Sequence, residues 1–509
     1  MRGGGIRTRQ EGPMKMHKGT KHEAQRSSLK VRRLPVRFES DVRRVITRQF
    51  NPEGAGRVRH IFDRVGRLSE LEVDEVLSRV LRDFQHRHEE LEEALEEHYD
   101  AAALRVDAPR DLSRNRRLLI GAYFTMEYSI ASAALFNPSI VPHRNQRDLP
   151  KGAIRFILSL RATGEGHVSS VVFRTGVIEA NHAIRMDPPS RFSRRVRTSP
   201  DNQYEKQLFC RKLHDIGIEE TAAMLVLDRL PDYFTMIELE QALAAACAAE
   251  PEKLRAEETR QGILWLAQSN YELELSKGTD ASEVVIFPFS RSESRGIEDL
   301  RMVRFVDDDG SVTFRGTYTA TDGYHILPQL METRDFLRIG IHTLNGACAQ
   351  NKGMALFPRR IGGHYAMCSR IDGENLYLMY SDIIHFWESA ELLQTPRQPW
   401  EIVQIGNCGS PLETAEGWLL LTHGVGPMRT YCIGAMLLDL DDPLKVIGSL
   451  KEPLIMPTEE DRDGYVPNVV YSCGAMIHNR HLYIPYATSD SITRFAFVPL
   501  EPLLDRLLS

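Results

Sequence analysis

The sequence predicts a mainly β protein that carries an N-terminal α-helical domain and a helical insertion. Hydrophobic residues follow a helical period from 38 to 135, and short strand-like segments bounded by turn residues fill most of 136–509. A second helical stretch at about 201–277 interrupts those strands. We therefore predict three parts: a disordered basic tail at 1–37, an α-helical domain, and a β domain with an insertion.

The helical domain is predicted from its periodicity and its caps. One helix face is formed by apolar residues three and four positions apart, namely Val73, Val76, Leu77, Val80, Leu81 and Phe84. Ser69 and Glu72 have the spacing of a capping box at the start of that helix. A second capped helix is predicted to begin at Ser113 and to continue through the apolar run that follows.

The β region repeats itself weakly. The segments "METRDFLRIGIHTL" and "YSDIIHFWESAELL" each have a strand, a turn carrying Asp335 or Asp382, and a return strand. A third segment, "LLDLDDPLKVIGSL", occupies the corresponding place further on. Repeated four-stranded units of this kind are typical of β-propellers, although a β-sandwich also accounts for the density of strands. The period alone does not give the number of units.

Composition limits the class of protein. The net charge of −6, with 26% charged and 42% hydrophobic residues, is ordinary for a globular chain. Residues 1–37 hold eleven lysines and arginines against two glutamates, so the rest of the chain is acidic and a nucleic-acid partner is disfavoured. The tail has no apolar segment typical of a secretion signal, and no run reaches the ~18–20 residues that cross a membrane. We expect a cytoplasmic protein without a membrane partner.

The seven cysteines are odd in number, and none has CxxC spacing. This pattern favours reduced thiols and predicts neither a disulfide framework nor a metal site.

Polar residues stand at the ends of otherwise apolar strands. Lys352 precedes one strand and Arg370 ends the next, with a Gly-Gly turn between the two strands. Two cations brought together at strand ends predict an anion between them. Other polar residues of this kind are Glu298, Asp299, Arg301, His423, Arg429 and Tyr431. Taken singly, each is more often a solvated turn, a member of an ion pair or a structural histidine than a functional residue.

Together, these motifs resemble glycoside hydrolase family 130, the family of β-mannoside phosphorylases and inverting β-mannosidases. The resemblance rests on "GIEDLR", "NKGMALFPRRIGG", "YSDIIHFW", "GWLLLTHGVG", "RTYCIGAMLLDLDDP" and "YVPNVVYSCGAMI", in this order, with "FNPSI" and "LSLRATGEG" in the first unit. It covers roughly 135–180 and 284–500. It implies a five-bladed β-propeller, and the helical segments outside this core resemble a long-form subgroup.

The resemblance also implies roles for particular residues. Asp299 in "IEDLR" matches the family's general acid, although Leu300 stands where a proline is usual. The phosphate-binding positions of the family correspond to Lys352, Arg370, His423 and Tyr431. Sugar contacts are implied for Asn137, Arg161, Glu298 and Arg301.

The chemistry of inversion agrees with these roles. A glycosidic bond cleaved with inversion requires an acid on the leaving oxygen and a nucleophile on the opposite face. Phosphate arrives as an anion and needs cations rather than a base, whereas water needs a second carboxylate. We therefore expect phosphorolysis of a β-mannooligosaccharide to mannose 1-phosphate, with phosphate as co-substrate and no cofactor.

Two alternatives remain open at this stage. A hydrolase would use a glutamate to activate water, and Glu165, Glu298, Glu374 and Glu413 lie in or beside the motifs. A non-catalytic carbohydrate-binding propeller would bind mannosides without turnover. The sequence does not decide between β-1,2 and β-1,4 linkages, and it leaves the helical domain free either to mediate homo-oligomerisation or to pack on the β domain.

Overall fold

The computed structural model describes residues 29–109, 111–198, 203–249 and 257–509. These residues form thirty β-strands and nine α-helices, so the chain is mainly β with two helical regions. Within the same residues, no helix is both long enough and apolar enough to cross a membrane.

The first described element is a strand rather than a tail. Strand β1 (Arg32–Phe38) pairs antiparallel with a strand near residue 497, and Arg32 lies opposite Phe497. The prediction that the basic tail extends to residue 37 is therefore wrong at its C-terminal end, because the backbone of 32–38 is held in a sheet. The rest of the predicted tail, residues 1–28, lies outside the described residues.

The helical domain is enclosed by two strands. Its elements are β2 (Asp41–Gln49), α1 (Ala55–Gly66), α2 (Glu70–Phe84), α3 (Leu91–Ala103), α4 (Arg114–Tyr123) and β3 (Thr125–Ala131). The capping box of Ser69 and Glu72 is present, and the Ser113 side chain caps α4. The predicted continuation of that helix is wrong, because "TMEYSIA" pairs with β2 as a strand. Its β-branched and aromatic residues suit a half-buried strand.

The first β unit follows directly. Unit 1 contains β4 (Ala134–Pro142), β5 (Ile154–Thr163), β6 (Ser169–Ile178) and β7 (Ile184–Met186), and two short strands, β8 (Arg194–Arg195) and β9 (Arg197–Thr198), come after it. The strands β4, β5 and β6 pair antiparallel in chain order.

A mostly helical segment interrupts the sheets between units 1 and 2. It contains β10 (Gln203–Glu205), α5 (Lys206–Asp215), α6 (Glu220–Leu227), β11 (Tyr233–Thr235), α7 (Met236–Ala249), α8 (Glu257–Gln268), β12 (Tyr271–Glu274) and β13 (Val284–Ile286). Lys212 on α5 is 2% exposed. It donates hydrogen bonds to Asn270 Oδ1 at 2.7 Å and to the Thr343 carbonyl at 3.1 Å, which fixes the segment to the next sheet. Burial lowers the pKa of Lys212 to about 7.

Four further β units complete the chain. Unit 2 contains β14 (Gly296–Val306), β15 (Val312–Thr321), β16 (Ile326–Thr333) and β17 (Arg338–Thr343). Unit 3 contains β18 (Lys352–Leu356), β19 (Tyr365–Arg370), β20 (Leu376–Ser381) and β21 (Glu391–Gln394). Unit 4 contains β22 (Gln404–Asn407), β23 (Leu412–Glu413), β24 (Trp418–Val425), β25 (Tyr431–Leu438) and β26 (Val446–Ser449). Unit 5 contains β27 (Val470–Tyr471), β28 (Met476–His478), β29 (His481–Thr488) and β30 (Ile492–Pro499), and α9 (Leu500–Leu507) follows it.

The five units are antiparallel meanders. Units 3 and 4 each form a sheet of their own, unit 5 is completed by β1, and units 1 and 2 are joined in one larger sheet by a single bridge between Gly296 and Ser169. No sheet in the described parts of the chain closes on itself. The mainly β class is therefore confirmed, while the five-bladed propeller stays a prediction.

The first prediction concerns the closure of unit 5 by β1. Arg33 on β1 forms an ion pair with Asp461, whose side chain is fully buried, and also donates to the Met456 carbonyl. We expect Arg33→Met to lower the free energy of unfolding by about 2 kcal/mol, because it leaves a buried carboxylate without its main partner. Chemical denaturation at pH 7 measures this.

Arg37→Met on the same strand is the matched control. The Arg37–Glu39 pair is about half exposed at both ends, so its loss should cost under about 0.5 kcal/mol. Equal losses in the two variants would contradict the role given to Asp461.

Candidate active site

The first strands of units 1, 2 and 3 each carry a β-bulge, and these bulges orient the side chains of the site. The pairing shifts between Phe136 and Ser139 in β4, between Glu298 and Arg301 in β14, and between Lys352 and Ala355 in β18. The bulged residues Asn137 and Asp299 have φ values of 48° and 57°, and Gly353 has a φ of 90°. Left-handed backbone is rare for residues other than glycine, and it is found where a fold fixes a functional side chain.

Asp299 lies among donors and cations. The Asn137 amide donates to Asp299 Oδ1 at 2.5 Å. Arg161 Nη1 lies 3.6 Å from the same oxygen, and Arg301 Nη2 lies 3.7 Å from Oδ2. Burial raises the pKa of Asp299, but the charges of Arg301, Arg161 and Lys352 and the Asn137 hydrogen bond outweigh it, so the pKa lies below its usual range. In the free site this carboxyl is ionised.

Arg301 supports Asp299 from behind. Its side chain is 2% exposed. It donates to the Asp299 carbonyl at 2.9 Å, to the Cys408 carbonyl at 3.1 Å and to Tyr471 Oη at 2.6 Å. All three nitrogens of the guanidinium are therefore engaged within the protein. The sugar contact expected for Arg301 stays a prediction that this arrangement does not favour.

Glu298 links the acid to the neighbouring cations. Arg161 Nη2 and Lys352 Nζ each lie 2.7 Å from a different oxygen of this carboxylate. The Arg161 guanidinium also stacks over the Phe136 ring, 4.9 Å from its centroid. Glu298 and Arg161, for which the resemblance implied sugar contacts, therefore lie beside Asp299 and in contact with each other, and the sugar contacts stay a prediction.

The four residues predicted to bind phosphate form one group. Lys352 and Arg370 are directly opposite each other in the pairing of β18 with β19. Arg370 Nη1 donates to His423 Nε2 at 3.1 Å, and the Tyr431 ring lies parallel to the His423 ring at 6.2 Å between centroids. His423 is 1% exposed, and burial, followed by the charges of Arg370 and Arg301, holds its pKa well below the usual range. The imidazole is therefore neutral.

Several buried polar atoms at this group have no partner within the protein. They are Asn137 Oδ1, Arg161 Nε, Arg370 Nε, His423 Nδ1, and both side-chain polar atoms of Asn407. Buried polar groups are nearly always hydrogen-bonded in folded proteins. The atoms of Arg370, His423 and Asn407 lie close together, so these three side chains are able to form hydrogen bonds with a bound group.

Sequence reasoning missed three residues of this site. Asn407 ends β22 and is 0% exposed, and Tyr471 receives the Arg301 hydrogen bond. Asp490 lies in the β29–β30 turn, where burial and then the negative charge of Asp299 raise its pKa to about 6. The only signal in the sequence is the short turn "TSDS" after an apolar strand, which any surface hairpin also shows.

The glutamates considered for hydrolysis are dispersed. Glu165 and Glu374 are exposed in loops, and Glu413 is exposed and forms a two-point ion pair with Arg359. Of the four, only Glu298 lies beside Asp299. Among the described residues there is also no group of three or more histidine, cysteine, aspartate or glutamate side chains suited to a metal ion.

Comparison with known proteins identifies the class of this chain. A family model for glycoside hydrolase family 130, described as β-1,4-mannooligosaccharide phosphorylase, matches residues 253–508, about half of the chain. The chain belongs to glycoside hydrolase family 130.

The chain is also similar to two curated relatives and to one solved structure. The chain is 32% identical over 218 residues to a 1,2-β-oligomannan phosphorylase of Thermoanaerobacter sp. (strain X514), covering 42% of this chain and 72% of the relative. It is 26% identical over 271 residues to a β-1,2-mannobiose phosphorylase of Listeria innocua, covering 51% and 74%. The solved structure of a Listeria innocua β-1,2-mannobiose phosphorylase with β-1,2-mannobiose aligns over 74% of this chain and 92% of that one, at 18% identity and a TM-score of 0.44.

The second prediction concerns Asp490. Because its pKa is raised on folding, its contribution to stability is full below pH about 4 and is lost as the pH rises through about 6. We expect Asp490→Asn to be more stable than the wild type at pH 7.5. The difference in the free energy of unfolding between variant and wild type should be about 2 kcal/mol more favourable to the variant at pH 7.5 than at pH 4. Urea denaturation at both pH values measures this.

Asp439→Asn supplies a control of opposite sign. Backbone hydrogen bonds from Asp442 and Asp441 lower the pKa of Asp439, so its stabilising contribution is present above pH about 4 and lost below it. The free energy of unfolding of Asp439→Asn, measured relative to that of the wild type, should therefore be lower at pH 7.5 than at pH 4. A pH-independent effect of Asp490→Asn would contradict the raised pKa.

Proposed function

We propose that this protein cleaves β-mannosides by inverting phosphorolysis and releases α-mannose 1-phosphate. The observation that carries the proposal is the single arrangement of Asp299 beside Lys352, Arg370 and His423, with unpaired buried polar atoms between them. An acid beside a cationic group suits phosphate as the nucleophile, since phosphate needs positioning rather than a base. The family membership and the names of the two phosphorylases support the same reaction.

Asp299 acts as the general acid in this proposal. Its pKa is low in the free site because three cations surround it. A bound phosphate would share the charge of Lys352 and bring its own negative charge to the site, so the hold of Lys352 on Asp299 would weaken and the pKa of Asp299 would rise. Phosphate binding thereby favours the protonated acid, and the proton passes to the leaving oxygen, directly or through a sugar hydroxyl, as the glycosidic bond breaks.

Phosphate binding requires a rearrangement of two contacts. Lys352 leaves Glu298, and Arg370 turns from His423 so that its guanidinium can meet two phosphate oxygens. Tyr431 supplies a hydroxyl donor and neutral His423 a ring N–H. The phosphate oxygen attacks C1, and the proton it carried restores Asp299. No cofactor takes part.

The mannosyl ring is held by the side chains around Asp299. Asn137, Arg161 and Glu298 offer an amide, a guanidinium and a carboxylate to its hydroxyls, and Asp490 adds a second carboxyl. Arg301 acts as a positioning residue, because its donors all hold the backbone and side chains behind Asp299. We further propose that the five units are blades of one propeller around this site, with the helical domain packed on its outside or joining two copies.

Hydrolysis is the competing reaction. It would require a carboxylate placed to deprotonate water across the sugar from Asp299. Glu374 and Glu165 are exposed in loops, Glu413 is exposed on β23, and Glu298 is held by two cations, which favours phosphorolysis. Incubation with β-1,2- and β-1,4-mannobiose, with and without phosphate, separates the reactions. Phosphate-dependent mannose 1-phosphate supports the proposal, and phosphate-independent release of mannose overturns it.

The third prediction tests the acid. Asp299→Asn should lower kcat about 10²–10⁴-fold on mannobiose, because the amide cannot supply a proton to the leaving oxygen. Release of mannose 1-phosphate, followed by coupled assay, measures the rate. A variant with wild-type kcat would remove Asp299 from the mechanism.

The fourth prediction tests the phosphate group. Lys352→Ala should raise the KM for phosphate about tenfold or more with a smaller change in the KM for mannobiose, because one charge-assisted contact to phosphate is lost. Glu374→Gln, an exposed carboxylate in the neighbouring turn, is the control and should leave both constants within twofold. If Glu374→Gln instead abolishes turnover, the hydrolase mechanism gains its base and the phosphate assignment fails.

A further inference from the structure

Two hairpin loops in different units have the same backbone conformation. The 164–168 loop joins β5 to β6, and the 426–430 loop joins β24 to β25. Gly164 and Gly426 share φ values of −110° and −111°. The third and fourth residues of each loop are left-handed: Gly166 and His167 at 66° and 59°, and Met428 and Arg429 at 56° and 55°.

Strand register places both loops beyond the candidate active site. The first loop follows the pair Thr163–Ser169, and the second follows the pair Val425–Tyr431. Arg161 and His423, which belong to the site, each lie three positions before the first residue of their loop, Gly164 or Gly426. The two loops therefore extend from the site in the same sense, and their tips form part of its rim.

The first loop carries His167, which stacks on a tyrosine from unit 5. The rings of His167 and Tyr465 are 5.5 Å apart between centroids and 27° from parallel. Tyr465 Oη lies 3.4 Å from His167 Nδ1. Tyr465 is 59% exposed and His167 is also exposed, so this pair presents ring surface to solvent.

Both halves of the pair are anchored. The Tyr465 N–H donates to Ser491 Oγ at 2.9 Å and the Val466 N–H to the Ser489 carbonyl at 3.0 Å, on either side of Asp490. On the other side, the hydroxyl of Tyr128, a 1% exposed residue, donates to the Glu165 carbonyl at 2.8 Å. The stacked rings are therefore held in place next to the turn that brings Asp490 towards Asp299.

The opposite part of the rim has a different chemistry. Met428 is 89% exposed, and the guanidinium of Arg429 lies 5.9 Å from the centre of the Tyr431 ring. The charge of Arg429 also opposes the rise in the pKa of Asp490, so this loop lies near the same carboxyl. A pair of exposed rings and a basic side chain thus lie near the same carboxyl, Asp490.

We propose that His167 and Tyr465 form a stacking platform for a hexopyranose ring of the acceptor part of the substrate, beyond the bond that is cleaved. Fixed, exposed aromatic rings provide broad contact area at little entropic cost, and one edge of each can meet a hydroxyl group. The inference rests on the proposed function, because it takes the mannosyl unit that is transferred to lie deeper, beside Asp299. The platform then determines how the enzyme holds the rest of the oligosaccharide.

The experiment uses the synthetic direction, in which donor and acceptor vary separately. Mannose 1-phosphate is the donor and β-mannobiose, of the linkage that the wild type uses, is the acceptor. Tyr465→Ala should raise the acceptor KM about fivefold to tenfold and leave the KM for mannose 1-phosphate within twofold, because the donor does not reach the platform. Tyr465→Phe keeps the ring and should stay within about twofold of wild type.

A second variant and a distant control separate stacking from folding. His167→Ala should raise the acceptor KM about twofold to fivefold, whereas Tyr123→Ala, which removes a 47% exposed tyrosine at the end of α4, should change neither constant. Melting temperatures of the alanine variants should stay within a few degrees of wild type. An acceptor KM that is unchanged in both His167→Ala and Tyr465→Ala overturns the platform. An equal rise in the KM values for acceptor and donor also overturns it, because it indicates that the two rings only stabilise the packing of unit 1 against unit 5.

Calorimetry distinguishes failure of the platform from failure of the proposed reaction. If the wild-type protein shows neither synthetic nor phosphorolytic turnover, the proposed reaction is overturned. Binding of β-mannotetraose requires no turnover, and Tyr465→Ala should weaken it about fivefold or more relative to Tyr465→Phe. Equal affinities in these two variants overturn the platform whatever the reaction is.

Discussion

The guanidinium of Arg301 is the constraint on which the candidate active site depends. Its three nitrogens bind the Asp299 carbonyl, the Cys408 carbonyl and Tyr471 Oη, so one buried side chain joins units 2, 4 and 5. The same group holds the left-handed backbone of Asp299 and adds a positive charge 3.7 Å from its carboxylate. A change of Arg301 would therefore alter both the backbone conformation of Asp299 and the charge beside its carboxylate. Strained backbone is common at functional residues, where the surrounding structure holds it in place.

The charges of the site are arranged in alternation rather than in separate patches. Glu298 lies between Arg161 and Lys352, Asp299 lies between Arg161 and Arg301, and Arg370 meets a neutral imidazole instead of a carboxylate. In the described part of the chain, Arg370 is thus the cation of this group that meets no carboxylate. Under the proposed function, phosphate would gain most there, and its charge would change the balance that keeps Asp299 ionised, which would couple the binding of phosphate to the reactivity towards the mannoside.

Local pattern explains which parts of this arrangement the sequence could predict. Lys352 and Arg370 lie in one hairpin, so alternation and a Gly-Gly turn were enough to bring them together. Asp299 and His423 come from distant strands, and only the resemblance to a family connected them. Asn407 and Asp490 have no periodic signal, because a strand-end amide and a turn aspartate are read equally well as surface residues. The sequence predicts helix for 125–131 because the pairing with β2, which makes this segment a strand, is not local.

The pairing of β1 with β30 has a consequence for how the protein is made. Arg32 meets Phe497 in the sheet of unit 5, so β1 cannot form its pairing until a segment far along the chain has been synthesised. Until then β1 has no partner and β30 has a free edge, both of which can pair with other chains. Contacts of such long sequence separation form slowly, and co-translational folding of units 1 to 4 would leave this seam as the final step of assembly. Expression conditions that slow aggregation should therefore matter more for this enzyme than for a chain whose last sheet is built from neighbouring strands.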